Sequence, residues 1–192
     1  VAYWQFLLEE CFKHLSTSES FRQMKLIPVI FAIALFLSIP ALAQSSINVG
    51  STAPVFSAVG LDGTTYDLAE LRGSVVVVTF WSTKCEICRS EIPRLNQFAG
   101  RFDSKKVVFL ALSMEQEDKL ANYLRSNPFS FKIVPNSFGV VLQYANRSAD
   151  GYVEMGFPTF FVIDQMGTVQ YKASGYDKTE PLSTAINRLL AK

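Results

Sequence analysis

Apolar residues fall along this chain in three different ways. Between Leu26 and Ala43 they form an almost unbroken run, LIPVIFAIALFLSIPALA. Between Val75 and Phe80 they form a shorter one, VVVVTF, whose β-branched residues predict a strand buried on both faces in the middle of an α/β sheet. After Trp81-Ser82-Thr83-Lys84 the period changes. Cys85, Cys88, Ile92, Leu95, Ala99 and Phe102 step by three or four and mark one face of a helix, with Pro93 inside it.

The remaining pattern supplies the other elements. Ser45–Thr52 is polar and reads as a mobile lead-in. Phe56–Leu61 and Thr64–Leu68 flank Asp62-Gly63, a hairpin turn signal. Asp67–Leu71 predicts a short helical turn stopped by Gly73. Lys106–Leu112 is a strand, and Ser113-Met114-Glu115-Gln116 has capping-box spacing, which predicts a helix from there to about Ser126. Phe131–Val134 comes next as a strand, Ser137–Tyr144 as a short helix and Asn146–Gly151 as a loop. Thr159–Asp164 and Val169–Ser174 read as antiparallel strands joined through Gln165-Met166-Gly167. A last helix opens at Thr179-Glu180-Pro181, with Leu182, Ile186, Leu189 and Leu190 facing inward. This order predicts a mixed central sheet flanked by helices, with an N-terminal hairpin added.

The first apolar run belongs to a different kind of segment. It comes after Met24-Lys25 and closes on Ala41-Leu42-Ala43, the parts of a secretory signal peptide cleaved before Gln44. An uncleaved membrane anchor over 26–43 is the alternative, since the run is near the lower length for a spanning helix. Residues 1–23 read as an upstream tail, either from an upstream start called in error or a short cytoplasmic segment. The domain itself then occupies 44–192.

Composition narrows the chemistry. The formal net charge is +1, with no basic field for nucleic acid. The single His (His14) and one of the three Cys (Cys11) precede Gln44. The 44–192 domain therefore lacks a His-based triad, a typical zinc catalytic site and a CxxCH haem attachment site. No cofactor and no metal is expected. Two cysteines remain, in a chain expected where disulfides persist.

Those two are Cys85 and Cys88, placed directly after a buried strand at the start of a helix. A helix N-terminus carries partial positive charge and free N–H groups, which stabilise a thiolate. Cys85, nearer that end, is the expected exposed nucleophile; Cys88, one turn in, is the more buried resolving thiol. An inert staple is the competing reading, but a bridge across two residues closes too small a loop to gain much. A zinc knuckle would need four ligands.

The segment Phe80-Trp81-Ser82-Thr83-Lys84-Cys85-Glu86-Ile87-Cys88 resembles the thioredoxin signature. Gly50-Ser51-Thr52-Ala53-Pro54-Val55-Phe56, Pro93, Gly156-Phe157-Pro158-Thr159-Phe160 and Asp164-Gln165-Met166-Gly167 narrow the resemblance. They point to the exported TlpA/ResA-like branch, related to AhpC/TSA–Redoxin proteins. The resemblance implies a thioredoxin-like α/β fold and an extracytoplasmic thiol–disulfide oxidoreductase. It implies a cis-Pro158 beside the cysteines, with Trp81, Phe157 and Pro158 as the substrate-binding surface and Lys84, Glu86 and Ile87 as the active-site loop. Expected partners are disulfide-containing exported proteins, apocytochrome c during haem attachment among them, and a membrane thiol-reductant donor. A monomer is expected.

Two departures matter. Ile87 stands where a proline is usual, which leaves the redox direction open, with reduction favoured. Thr79 stands where thioredoxins bury a carboxylate; Glu91, three residues after Cys88, resembles the acidic residue that the branch places beside its active site, which makes it the candidate proton acceptor, with a solvated helix charge as the competing reading. Peroxiredoxin-type peroxidase and copper chaperone are the alternative functions on the same fold.

Overall fold

A computed structural model describes residues 46–148 and 150–191. The upstream tail 1–23 and the signal or anchor segment 24–43 lie outside the described residues. Among the described residues no helix is long and apolar enough to cross a membrane.

The described residues form nine strands and four helices, in the order β1 (Ser57–Val59), β2 (Thr65–Asp67), β3 (Val75–Phe80), α1 (Glu86–Ala99), β4 (Val107–Leu112), α2 (Glu117–Leu124), β5 (Lys132–Val134), α3 (Phe138–Tyr144), β6 (Asn146–Arg147), β7 (Val153–Glu154), β8 (Thr159–Ile163), β9 (Val169–Ser174) and α4 (Thr179–Leu190). Five strands form the central sheet in the order β5-β4-β3-β8-β9. β3, β4 and β5 are mutually parallel; β8 and β9 run antiparallel to their neighbours. The parallel step from β3 to β4 needs a crossover, and α1 supplies it.

β3 is buried along its whole length, and its alternating side chains feed two cores. Val75, Val77 and Trp81 join Cys88, Ile92, Leu95 and Phe98 of α1, Leu120 of α2 and Leu182, Ile186 and Leu189 of α4. Val76, Val78 and Phe80 join Val140, Val141 and Tyr144 of α3 and Phe56 and Tyr66 of the hairpin. Burying each such valine contributes about 1.5–3 kcal/mol, so this one strand is a large share of the driving force.

Four local expectations need correction. Ser45–Thr52 is not a mobile lead-in over its described part: Ile47 is buried, the Gly50 N–H donates to the Val169 carbonyl at 2.7 Å and the Val169 N–H to Ser51 at 2.9 Å. The helix after β4 starts at Glu117 because the Ser113 hydroxyl is taken by the Glu115 N–H at 3.2 Å and caps nothing. Asn146–Gly151 is not simply loop; Asn146 and Arg147 pair with Glu154 and Val153 in a small antiparallel hairpin. Leu190 is exposed, and Ala185 takes the inward place on α4 instead. The expected turn after β2 does form, as a single turn closed by the Leu71 N–H on the Asp67 carbonyl.

Candidate active site

The site lies at the end of β3, where the chain turns from the sheet into α1. Cys85 is the N-cap of that helix, and its sulfur accepts the Cys88 N–H at 3.1 Å. Cys85 and Cys88 form a disulfide, with the Cys88 sulfur buried and Cys85 partly exposed. Of the free N–H groups at the helix start, at least one is thus already aimed at the Cys85 sulfur, the arrangement that stabilises negative charge there. Glu86 and Ile87 point outward, Ile87 with 44% of its surface exposed. Lys84 is also exposed, and its N–H donates to Ser82 Oγ at 3.1 Å.

α1 continues through Pro93 without interruption. Proline cannot donate to the Arg89 carbonyl, but both residues are on the exposed side, where that oxygen is open to solvent.

The loop from β7 closes the other side. The Phe157–Pro158 peptide bond is cis, and the Phe157 carbonyl oxygen lies 3.5 Å from Cys85 Sγ. Pro158 is buried while Phe157 is half-buried against both cores. The Thr159 hydroxyl donates to the Gly156 carbonyl at 2.6 Å and the Gly175 N–H to the Pro158 carbonyl at 2.8 Å, so the loop is held at both ends.

Trp81 sits under the active-site loop, fully buried, edge-on to Phe129 and tilted against Tyr123. Its Nε1, the Tyr123 hydroxyl and the Thr79 hydroxyl have no hydrogen-bond partner among the described residues. Burial pushes the Tyr123 phenol upward.

Glu91 is 1% exposed, not a solvated helix charge. One carboxylate oxygen accepts the Asp177 N–H at 3.1 Å; the other is 4.0 Å from the Arg94 guanidinium. It faces the same side of α1 as Cys88, one turn on.

A further contact had no motif to announce it. The Glu115 carboxylate accepts the Thr83 N–H at 2.8 Å and the Thr83 hydroxyl at 2.6 Å, and pairs with Lys119. Burial alone would raise the Glu115 carboxyl, but Lys119 and the two Thr83 donors outweigh it and hold it below its ordinary value. The loop that delivers Cys85 is thereby fixed from strand β4's end. Only the polarity of Thr83 and Glu115 hinted at this, and residues so far apart carry no spacing signal.

Among the described residues no three His, Cys, Asp or Glu side chains gather as a metal site would require. What the site can do is thiol–disulfide exchange: an accessible sulfur on a helix N-terminus, a second sulfur behind it, and an open backbone edge alongside.

Residues 49–172 match the model of the AhpC/TSA family. The chain belongs to the AhpC/TSA family. Its relatives include proteins named thiol-disulfide oxidoreductase and a thioredoxin-like protein. The chain is 30% identical over 132 residues to the thiol-disulfide oxidoreductase ResA of Geobacillus kaustophilus, covering 69% of this chain and 72% of that one. It is 24% identical over 147 residues to ResA of Bacillus thuringiensis subsp. konkukian, covering 76% and 81%. A thiol:disulfide interchange protein of the thioredoxin family from Chlorobium tepidum superposes with a TM-score of 0.62 at 27% identity, covering 76% of this chain and 99% of that structure. This AhpC/TSA family member is therefore a TlpA/ResA-like protein of the thioredoxin superfamily, and a disulfide oxidoreductase acting on disulfide-containing proteins.

Proposed function

We propose that this protein works outside the cytoplasm as a reductase of disulfides in exported proteins, through Cys85 and Cys88 and with no other cofactor. The observation that carries the reading is the Cys85 sulfur at a helix N-terminus, 3.5 Å from the Phe157 carbonyl on the cis-Pro158 loop. The Phe157 N–H has no partner among the described residues, which leaves a backbone edge for a substrate strand to pair with. Trp81 supports that surface from below, and Lys84, Glu86 and Ile87 border it.

The Cys85 thiolate attacks one sulfur of the substrate disulfide. That S–S bond breaks, a substrate thiolate leaves, and Cys85 is joined to the substrate. Glu91 takes the Cys88 proton; the Cys88 thiolate then attacks the Cys85 sulfur and expels the second substrate thiolate. The substrate gains two electrons and the Cys85–Cys88 disulfide re-forms. A membrane protein presenting a dithiol restores the reduced state. Apocytochrome c, with its paired haem-attachment cysteines, is one substrate class that the resemblance implies, alongside other exported proteins with disulfides. The protein acts as a monomer, and the Ala41-Leu42-Ala43 segment directs export with cleavage before Gln44.

Trapping tests this reading. A Cys88→Ser variant, expressed with its leader, accumulates mixed disulfides between Cys85 and its substrates in the exported fraction. Recovery of exported proteins, released by dithiothreitol and absent from a Cys85→Ser control, is the expected result. A Cys88→Ser protein that captures nothing, or only cytoplasmic thiol proteins, overturns it.

A further inference from the structure

The hairpin β6–β7 leads directly into the loop beside Cys85, and its hydrogen-bond pattern says which edge is free. The Ser148 N–H donates to the Tyr152 carbonyl at 2.9 Å, and the Gly151 N–H donates to the Ser148 carbonyl at 2.9 Å, with Gly151 at φ 82° in the turn. Beyond the turn, Arg147 lies opposite Val153 and Asn146 opposite Glu154. Antiparallel pairs alternate between hydrogen-bonded and non-hydrogen-bonded ones. Ser148 with Tyr152 is a bonded pair, so Arg147 with Val153 is not, and the Val153 N–H and carbonyl point away from β6. By the same alternation Glu154 faces β6 and Met155 faces outward.

The chain runs from Val153 to Gly156 without a turn or bend and then enters Phe157 and cis-Pro158. No group among the described residues takes the Met155 or the Phe157 N–H, and the Phe157 carbonyl lies 3.5 Å from Cys85 Sγ. The opposite strand is anchored, since Asn146 Oδ1 accepts Lys172 Nζ at 2.8 Å. Gly156 is outside the left-handed region, and a Cβ there would meet nothing within 4 Å. Nothing among the described residues thus requires a glycine at this place. A glycine between Met155 and Phe157 does let a second backbone come close.

We propose that the outer edge of β7 is the far part of the client-binding track. An extended client segment pairs main chain to main chain from Phe157, beside Cys85, along Met155 and Val153, and becomes the third strand of the β6–β7 sheet. This rests on the exchange reaction at Cys85. The track covers about 13 Å. It therefore selects disulfides whose cysteine adjoins several residues of unpaired, proline-free chain, as in an unfolded protein, over small-molecule disulfides. The exposed side chains of Tyr152 and Val153 favour β-branched or aromatic residues on the added strand.

The test reads the edge first and turnover second. In the full-length chain, Cys11 and Cys88 are replaced by Ser, which leaves Cys85 as its one thiol. Cys85 is then joined chemically either to a peptide rich in threonine and valine with a central cysteine, or to cysteine alone. Amide hydrogen exchange by NMR slows on the order of tenfold at Val153, Met155 and Phe157 in the peptide adduct relative to the cysteine adduct. Exchange at Glu154 is the same in both, because its N–H already faces β6. Slowing confined to Phe157 overturns the proposal. So does an edge protected without peptide in a protein that runs as a dimer, since a second copy then occupies it.

Val153→Pro, made in the otherwise unaltered chain, removes an outward donor and spares the β6 ladder. With dithiothreitol as reductant, it lowers kcat/KM for the disulfide form of the peptide about threefold to tenfold and leaves that for cystine unchanged. An equal fall on both substrates, or none on the peptide, overturns the track. A wild-type protein that reduces neither substrate defeats the reductase reading instead, and exchange in the chemically formed adduct still decides whether the β7 edge binds a strand.

Discussion

The two faces of the central sheet are built from alternate residues of the same strand, yet they are finished differently. On the face toward α3, Val76, Val78 and Phe80 meet a core of aromatic contacts around Tyr144, which stacks at angles on Phe56, Phe80 and Phe161. The tyrosine hydroxyls there are satisfied: that of Tyr144 donates to the Pro54 carbonyl at 2.8 Å and that of Tyr66 to the Asp62 carboxylate at 2.6 Å. The face toward α1 and α4 is also largely apolar, but among the described residues it contains the unpartnered hydroxyls of Thr79 and Tyr123, the unpartnered Trp81 Nε1 and the buried Glu91. An unsatisfied buried polar group costs about 1–3 kcal/mol. The three unpartnered groups and Glu91 all lie on the face that carries Cys88. The α3 face is scaffold, and the α1 face holds polar groups on the side of the disulfide.

The contrast can be broken from either side. Phe80→Ala opens the scaffold face, where relaxation is poor, and lowers unfolding free energy by about 3–5 kcal/mol in denaturant titration of the oxidised protein. Exchange activity per folded molecule stays at the wild-type level; a matching loss of activity would mean that the two faces are not separate in function. Thr79→Val acts oppositely. It keeps the shape and removes a hydroxyl that finds no partner, so stability rises by about 1 kcal/mol, read as a Tm increase of a few degrees. If stability falls instead, the Thr79 hydroxyl has a partner in solution and the α1 face is as well satisfied as the α3 face.

The smallest effect concerns the loop lock. The Glu115 carboxyl is held below its ordinary value, so the stabilisation it gives Thr83 and Lys119 is complete above the unfolded value of about 4.3 and disappears as pH falls through the folded one. Glu115→Gln therefore lowers stability near neutral pH by about 1 kcal/mol or less and flattens the loss of stability between roughly pH 5 and 3. An acid profile identical to wild type would remove Glu115 from the groups that fix the Cys85 loop.

Most features legible in the sequence came from local physics, and one from resemblance. The β-branched run gave β3 to the residue, the change from a continuous apolar run to steps of three or four located α1 with Cys85 at its start, and the resemblance of Gly-Phe-Pro-Thr to the family's loop implied the cis proline. The features not legible depended on groups brought together from far apart. Ser113 looked like a helix cap, but Glu115 folds back to use its hydroxyl, so α2 starts later. Thr83 with Glu115 and Glu91 with Asp177 are polar contacts across 32 and 86 positions. No periodicity marks such pairs, because each is set by where two segments far apart in the chain meet. Glu91 itself was suggested by its place in the family's motif, three residues after Cys88; its enclosure depends on the β9–α4 connection.

The segment before the hairpin shields the sheet as well as extending it. At one margin of the five-stranded sheet, Gly50 and Ser51 take up backbone groups of Val169; at the other, the Leu61 N–H of the hairpin loop takes the Ile133 carbonyl. Both outer strands are thus partly covered by this chain's own backbone. An uncovered margin recruits strands from neighbouring molecules and starts aggregation. Tying down both margins at these points makes self-association through the sheet less favourable.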